Sequence, residues 1–357
     1  MRGASAASAG RISTASDTTV GGAHDPVPDS SRAVCCRAVS SVGLVLGGGG
    51  ITGASYHFGA LLALEMATGW HPDEAAVIVG TSCGAFAAAM TRGGGLSIDT
   101  FLGDAKTRDE VSERLRNLIF RRTRPRGVLR WLRRGVLPGL ARPDLKLVLG
   151  SPALYETSGV AEWVAEVSPA VADTWPDKPT VIVAYDLNGR TRTPFGTEAA
   201  PDVALKDAVA ASVAVPFVFE PVRIDDRSYV DGGITSGTHA DLVLANPEPL
   251  DLLIVVAPLA ADQPRDGARF YEDMFDRVGR TALEAELALI RDEWPHTDIL
   301  VFRPDVRVQE ALTPNPLSIR AAIPAFLRTL RSFDAQLSQH DTWLVLERHL
   351  GHHAARR

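Results

Sequence analysis

The sequence predicts an α/β protein built on a mostly parallel central sheet with helices on both faces. Three observations carry this expectation. Residues 42–46, Val-Gly-Leu-Val-Leu, read as a short buried strand that passes through a glycine run into a helical stretch. Residues 77–79, Val-Ile-Val, do the same through Gly80-Thr81-Ser82-Cys83-Gly84 into a run of small residues and good helix formers. Further apolar runs at 180–185, 252–257 and 299–302 alternate with helical stretches, the pattern of repeated βα units.

Bulk properties fit one large domain or two smaller ones. The 357 residues are 45% hydrophobic and 22% charged, as in ordinary globular proteins. A formal net charge of −6 argues against a general nucleic-acid binder. Three cysteines, Cys35, Cys36 and Cys83, make no disulfide framework, so a reducing compartment is expected. Neither a spanning apolar run nor a secretory signal is visible, which gives a cytoplasmic expectation with peripheral membrane contact.

Taken in order, residues 1–40 are rich in Ala, Ser, Gly and Thr and read as a disordered leader. No accompanying motif gives Cys35-Cys36 a lipid or metal to carry. The strand at 42–46 leads into Gly47-Gly48-Gly49-Gly50 and then Ile51-Thr52-Gly53, with a helix expected from about Ala54 and Phe58, Leu61, Leu62 and Met66 on one face. A strand, glycine turn and helix present backbone N–H groups to an anion. Gly48, Gly50 and Gly53 nominally meet G-x-G-x-x-G. A dinucleotide site would also want an acidic residue at the end of the second strand. That strand ends instead in Gly-Thr-Ser-Cys-Gly, which favours an oxyanion site over a phosphate site.

Gly80, Ser82 and Gly84 fit G-x-S-x-G, the spacing of a nucleophile elbow. The same residues also suit an ordinary strand, turn and helix with a serine cap. Gly93-Gly94-Gly95 stops the following helix.

Residues 106–150 change character. Ten arginines and no acidic residue lie between Arg114 and Arg142, interleaved with apolar residues including Trp131. This stretch reads either as a solvated basic face or as a cationic cap that meets anionic lipid headgroups. Nucleic-acid binding is the weaker use of it.

A helix is expected over 151–175, a hairpin of 180–185 with 191–195 around Asp186–Gly189, and a short helix over 204–211. Short strands at 222–224 and 228–230 lead into Asp231-Gly232-Gly233. That sharp turn can push a carboxylate into a cleft, although Asp-Gly is also a common plain turn. A buried strand at 252–257, a long helix over about 265–293, a strand at 299–302 and a last helix bearing Phe326, Leu327, Leu330, Phe333 and Leu337 complete the chain, followed by a polar tail with His352-His353.

The ordered set of Gly47–Gly53, Gly80–Gly84 and Asp231-Gly232-Gly233, with Ala211-Ser212, Pro216 and Phe219 upstream of the aspartate, resembles the patatin-like phospholipase family over about residues 42–258. The resemblance implies a three-layer patatin-like fold with a catalytic domain over 41–260. The arginine-rich stretch at about 106–150 reads as a cap or insertion in that domain. Residues 261–357, for which the family offers no counterpart, read as a mostly helical C-terminal extension packed on it. It implies a lipid acyl hydrolase with Ser82 as nucleophile and Asp231 as general base, a dyad with no histidine. Gly48, Gly49 and Gly50 would supply the oxyanion hole, with Gly47, Gly53, Gly80, Gly84, Gly232 and Gly233 supporting the motifs. It implies neither cofactor nor metal, and a lipid or acyl-ester substrate. Two departures stand out. Thr52 occupies a position that is often Arg or Lys, which puts a preference for charged headgroups in question. The Asn and Pro common after the aspartate turn are replaced by Ile234-Thr235-Ser236-Gly237-Thr238-His239.

Two rival readings use other residues. A Ser-His-Asp hydrolase would recruit His239, His296 or His340, although an elbow on the second strand is early for that fold. A lipid-binding or scaffolding module would keep the fold without turnover.

Overall fold

The structure is a computed structural model that describes residues 40–97, 99–100, 103–123, 149–151, 153–261, 270–312 and 315–354, with only the backbone described at 270–278 and 352–354. The expected leader with Cys35-Cys36, the arginine-rich stretch 124–148, the first residues of the expected long helix and the side chains of His352-His353 lie outside what is described.

The described residues form ten strands: β1 (Val42–Leu46), β2 (Val77–Thr81), β3 (Arg121–Arg122), β4 (Tyr155–Glu156), β5 (Thr180–Asp186), β6 (Thr191–Phe195), β7 (Val222–Ile224), β8 (Arg227–Asp231), β9 (Leu252–Val256) and β10 (Asp298–Phe302). β3 and β4 form a separate pair; the other eight make one sheet. Its order begins β10-β9-β1-β2-β5, all parallel. Strands buried on both faces read as continuous apolar runs, which is why 252–257 carries no alternation.

Side-chain alternation divides the sheet between two cores. Leu44, Leu46, Ile78, Ile254 and Val256 face one side. There they meet α1 (Gly50–Thr68), α2 (Cys83–Arg92), α3 (Arg108–Ile119), α4 (Ser158–Val167), α5 (Pro169–Ala172) and α6 (Leu205–Ser212). Val45, Val79, Leu253 and Val255 face the other side, against Leu283, Leu287 and Ile290 of α7 (Phe270–Glu293). Among the described residues three further α-helices follow: α8 (Val306–Leu312), α9 (Ala322–Leu337), which packs on α1, and α10 (His340–Ala354). Helices on both faces of a mostly parallel sheet give the expected α/β architecture. Among the described residues no helix is long and apolar enough to cross a membrane.

One register sets up the site. β6 pairs with β5 over Ile182–Asp186. On the opposite edge of β5, β2 occupies Thr180–Val183 and β8 occupies Ala184–Asp186. β2 runs parallel to β5 and β8 antiparallel, so their C-terminal ends point at one another. Thr81 pairs with Val183 and Asp231 with the next residue, Ala184.

The structure departs from the sequence reading in several places. α1 begins at Gly50 rather than near Ala54, because close tertiary contacts outweigh the low helix propensity of glycine. The expected helix over 151–175 is two pieces, α4 and α5, with β4 before them and Pro169 starting the second. Met66 and Leu327 are exposed rather than core. Residues 340–354, where no element was expected, fold as α10, which takes in His352-His353 and buries Leu346 and Leu350 one turn apart.

Candidate active site

Ser82 lies between β2 and α2 with φ 55° and ψ −123°, in the left-handed half of backbone space. A non-glycine residue held there costs roughly 1–3 kcal/mol, and surrounding contacts must enforce it. Two contacts do so. The Ser82 amide donates to Ser212 Oγ at 2.9 Å, and Ser212 Oγ donates to the Val183 carbonyl at 2.6 Å. Gly84 lets α2 press against the end of β1, since a Cβ there would lie 1.9 Å from the Leu46 carbonyl oxygen. Gly80 is similarly close-packed, with a would-be Cβ 2.6 Å from the Gly84 carbonyl.

Ser82 Oγ donates to Asp231 Oδ2 at 2.6 Å, across 149 residues of sequence. Both residues are only 5% exposed. Asp231 Oδ1 accepts the Gly233 amide at 2.7 Å, and the Asp231 amide donates to the Ala214 carbonyl. Gly232 begins a single 3-10 turn, Gly232–Ile234, directly above Val183. Burial raises the Asp231 carboxyl to about 6, against the opposing hydrogen bonds from Ser82 and Gly233. Desolvation dominates because no cation contributes to the shift.

The glycine loop approaches from the other side. Gly47 donates to the Val256 carbonyl, and Gly48 donates to the Gly237 carbonyl at 2.7 Å. Gly49 caps α1, and Gly50 is its first residue at φ 65°, where a Cβ would sit 2.7 Å from the Pro316 carbonyl. Among the described residues no carbonyl accepts from the Gly49 or Gly50 amides. The Gly50 amide faces the Cys83 sulfur, a weak acceptor. Gly53 packs against the same sulfur. The N-termini of α1 and α2 therefore both open beside Ser82, and their dipoles favour negative charge.

Thr52 does not face this site. It is fully buried and its hydroxyl donates to the Leu312 and Pro316 carbonyls at 3.3 Å. The position that is often basic is thus covered here by the C-terminal segment.

Sequence reasoning missed several supporting residues. His57 Nε2 donates to the Gly47 carbonyl at 2.6 Å, and burial lowers the imidazole to about 4, so it holds the loop as a neutral ring. His239 sits at φ 50° with Nδ1 3.1 Å from Thr81 Oγ1 and Nε2 3.0 Å from Thr235 Oγ1. Burial, assisted by Arg192, lowers it to about 4. Both its nitrogens are turned to threonines rather than to the Ser82–Asp231 pair, and His296 and His340 are exposed. Nothing local in the sequence marks these residues for their supporting roles.

The serine opens onto a pocket that also takes in Gly50, Ile51 and Cys83. Leu115, Ile119, Val160, Trp163, Val215 and Phe219 supply most of a wall that is almost entirely apolar. Phe86 and Trp163 close part of it with ring centroids 4.5 Å apart. Leu317 from the C-terminal region lines it as well. Of the arginine-rich stretch, Arg114 and Arg121 pair with Glu166 and Glu162, both on α4.

The sequence model of a family described as Patatin-like phospholipase matches residues 44–244. No curated protein is significantly similar to the chain. Among solved structures, VipD from Legionella pneumophila is 14% identical, over 83% of this chain and 67% of that one, with a TM-score of 0.33. The type III effector protein ExoU is 17% identical over 88% of this chain, at a TM-score of 0.26. This chain spans 60% of the length of ExoU.

Proposed function

Because the chain belongs to the patatin-like phospholipase family, whose model covers more than half of it, we propose that it is a serine acyl hydrolase that cleaves carboxylic esters of lipids through an acyl-Ser82 intermediate. The observation that carries this reading is the Ser82–Asp231 hydrogen bond at the mouth of an apolar pocket. A lipid acyl chain lies in the pocket and presents its ester carbonyl to Ser82. As Oγ attacks the carbonyl carbon, its proton passes to Asp231 Oδ2. A carboxylate raised to about 6 is a better proton acceptor than an ordinary one and is still ionised at neutral pH.

The developing oxyanion is held by the Gly49 and Gly50 amides at the start of α1. Gly48 would have to release the Gly237 carbonyl to join them. Collapse of the tetrahedral intermediate breaks the ester C–O bond, and Asp231 returns its proton to the leaving alcohol. Water, deprotonated by the same carboxylate, then releases the fatty acid and regenerates Ser82. No histidine takes part. Peripheral contact of the arginine-rich stretch with anionic lipid belongs to the same reading; flotation with anionic and neutral vesicles tests it, and binding indifferent to lipid charge would remove it.

The test of the chemistry is hydrolysis of p-nitrophenyl esters and phospholipids by wild type, Ser82→Ala and Asp231→Asn, with fluorophosphonate labelling. Wild type is expected to turn over and to label at Ser82, and both variants to lose at least about 1000-fold in rate. Full activity in either variant would overturn the assignment.

A further inference from the structure

Helix α7 lies beyond the family-matched residues, yet it delivers one carboxylate to the back of the active site. Glu286 Oε1 accepts from Ser236 Oγ. Glu286 Oε2 accepts from Thr238 Oγ1 at 2.6 Å and from the Ala240 amide at 2.8 Å. Ser236 Oγ in turn accepts the amides of Thr238 and His239 at 3.1 and 3.2 Å. The loop from Ser236 to Ala240 is therefore gathered around a single side chain. Burial raises its carboxyl while these three donors oppose the shift. Arg192 and Asp241, joined as a bidentate pair, are the charged groups on the same side.

That loop touches the catalytic machinery twice. Its Gly237 carbonyl accepts the Gly48 amide of the oxyanion loop. Its His239 ring and Thr238 carbonyl meet the hydroxyl of Thr81, the residue before the nucleophile. Gly237 has no side chain, and a Cβ there would touch nothing within 4 Å. Nothing packs against the side-chain side of Gly237, so the bonds made by its neighbours fix this residue while its carbonyl rests against Gly47 and Gly48. This is also the stretch where the sequence departs from the family pattern after the aspartate turn.

We infer that Glu286 is a positioning residue for the hydrolysis. Through Ser236, Thr238 and Ala240 it fixes the Gly237 carbonyl, and through that carbonyl it fixes the glycine loop whose next two amides receive the oxyanion. The same anchor steadies Thr81 beneath the elbow. The C-terminal region thereby completes a site whose reacting groups all lie within the matched residues. The inference rests on the acyl-hydrolase reading for its kinetic consequence but not for its structural one.

The test compares Glu286→Ala, Glu286→Gln and Leu283→Ala in the full chain. Leu283 is fully buried one turn earlier on α7 and serves as a control for loss of stability alone. On a soluble p-nitrophenyl ester, Glu286→Ala is expected to lower kcat about 10- to 100-fold with KM changed by less than about 3-fold, since loop misplacement weakens transition-state contacts. Glu286→Gln should recover part of the loss, because its amide oxygen still accepts a hydrogen bond. Leu283→Ala should lower the thermal midpoint and leave kcat near wild type well below that midpoint. Hydrogen exchange of the peptide containing Gly48 should quicken in Glu286→Ala and not in Leu283→Ala. Wild-type kcat in Glu286→Ala, equal kcat losses in Glu286→Ala and Leu283→Ala, or unchanged exchange at Gly48 would overturn the inference. If wild type neither hydrolyses nor labels, the acyl-hydrolase reading falls, and the exchange comparison alone decides whether Glu286 braces the loop.

Discussion

The hydroxyl of Ser212 accepts the backbone hydrogen of Ser82 and passes its own hydrogen to Val183. A serine at the end of α6 thus ties the strained elbow to β5, the strand on which β2 and β8 both end. Ser212→Ala leaves a buried amide and a buried carbonyl each short of a partner. The expected result is a loss of about 1–3 kcal/mol in stability, with kcat lowered about 10-fold as the elbow relaxes. Denaturant unfolding and steady-state kinetics check it; a variant equal to wild type in both would show that the elbow holds itself.

The carboxyl of Asp231 gives a pH dependence of defined sign. Only the ionised form accepts the Ser82 proton, so kcat/KM is expected to rise with pH and level off above about 6. Stability runs the other way. The folded carboxyl titrates above its unfolded value, so its contribution is fully present below the unfolded pKa near 4 and is lost as pH rises through about 6. A shift of this size corresponds to about 3 kcal/mol. Asp231→Asn should therefore abolish activity yet match or exceed wild type in thermal midpoint at pH 8. A less stable Asn variant at that pH would contradict the burial argument.

Pocket shape should control chain length. Val160 lines the apolar wall and is 6% exposed. Val160→Phe places a ring in the space assigned to the acyl chain. Hydrolysis of long-chain esters is expected to fall by more than about 10-fold while acetyl and butyryl esters stay within about 3-fold, at a stability cost of about 1–3 kcal/mol from overpacking. A uniform loss across chain lengths would place the acyl group elsewhere.

Close backbone approach at the elbow predicts an intolerant position. Gly84→Ala would set a methyl 1.9 Å from the Leu46 carbonyl, so β1 and α2 must separate. The expected cost is at least about 3 kcal/mol. Gly237→Ala, with open space around its would-be Cβ, is expected to stay within about 0.5 kcal/mol of wild type. Thermal denaturation of the pair separates steric from general effects.

What the sequence made legible follows how local the physics is. Ser82 and Asp231 could be found because each sits in a turn whose glycines are written beside it. Strands such as 252–256 were legible from their unbroken apolar runs. The true start of α1 was hidden because Gly49 and Gly50 are chosen for contacts with Pro258 and Pro316, over 200 residues away, and against helix propensity. The support from His57 and Glu286 was equally hidden, and Ser212 was visible only as part of the Ala211-Ser212 segment, without its bonds to Ser82 and Val183. Each is an ordinary residue in its own helix, and its importance lies in a partner that only the folded chain brings near. α10 is hard to read from sequence because four histidines, two acids and Arg348 surround Leu346 and Leu350.

β2 and β8 end against consecutive residues of β5, and β8 does so in an antiparallel pairing of only three residues. Moving β8 by a single residue would turn Asp231 to the other side of the sheet. Regained turnover after denaturation therefore counts only chains whose β5–β8 alignment is right, whereas circular dichroism counts every chain that has recovered its strands and helices. A delay of the first signal behind the second would time the moment when this short alignment locks, a step that joins distant segments and is slow for that reason.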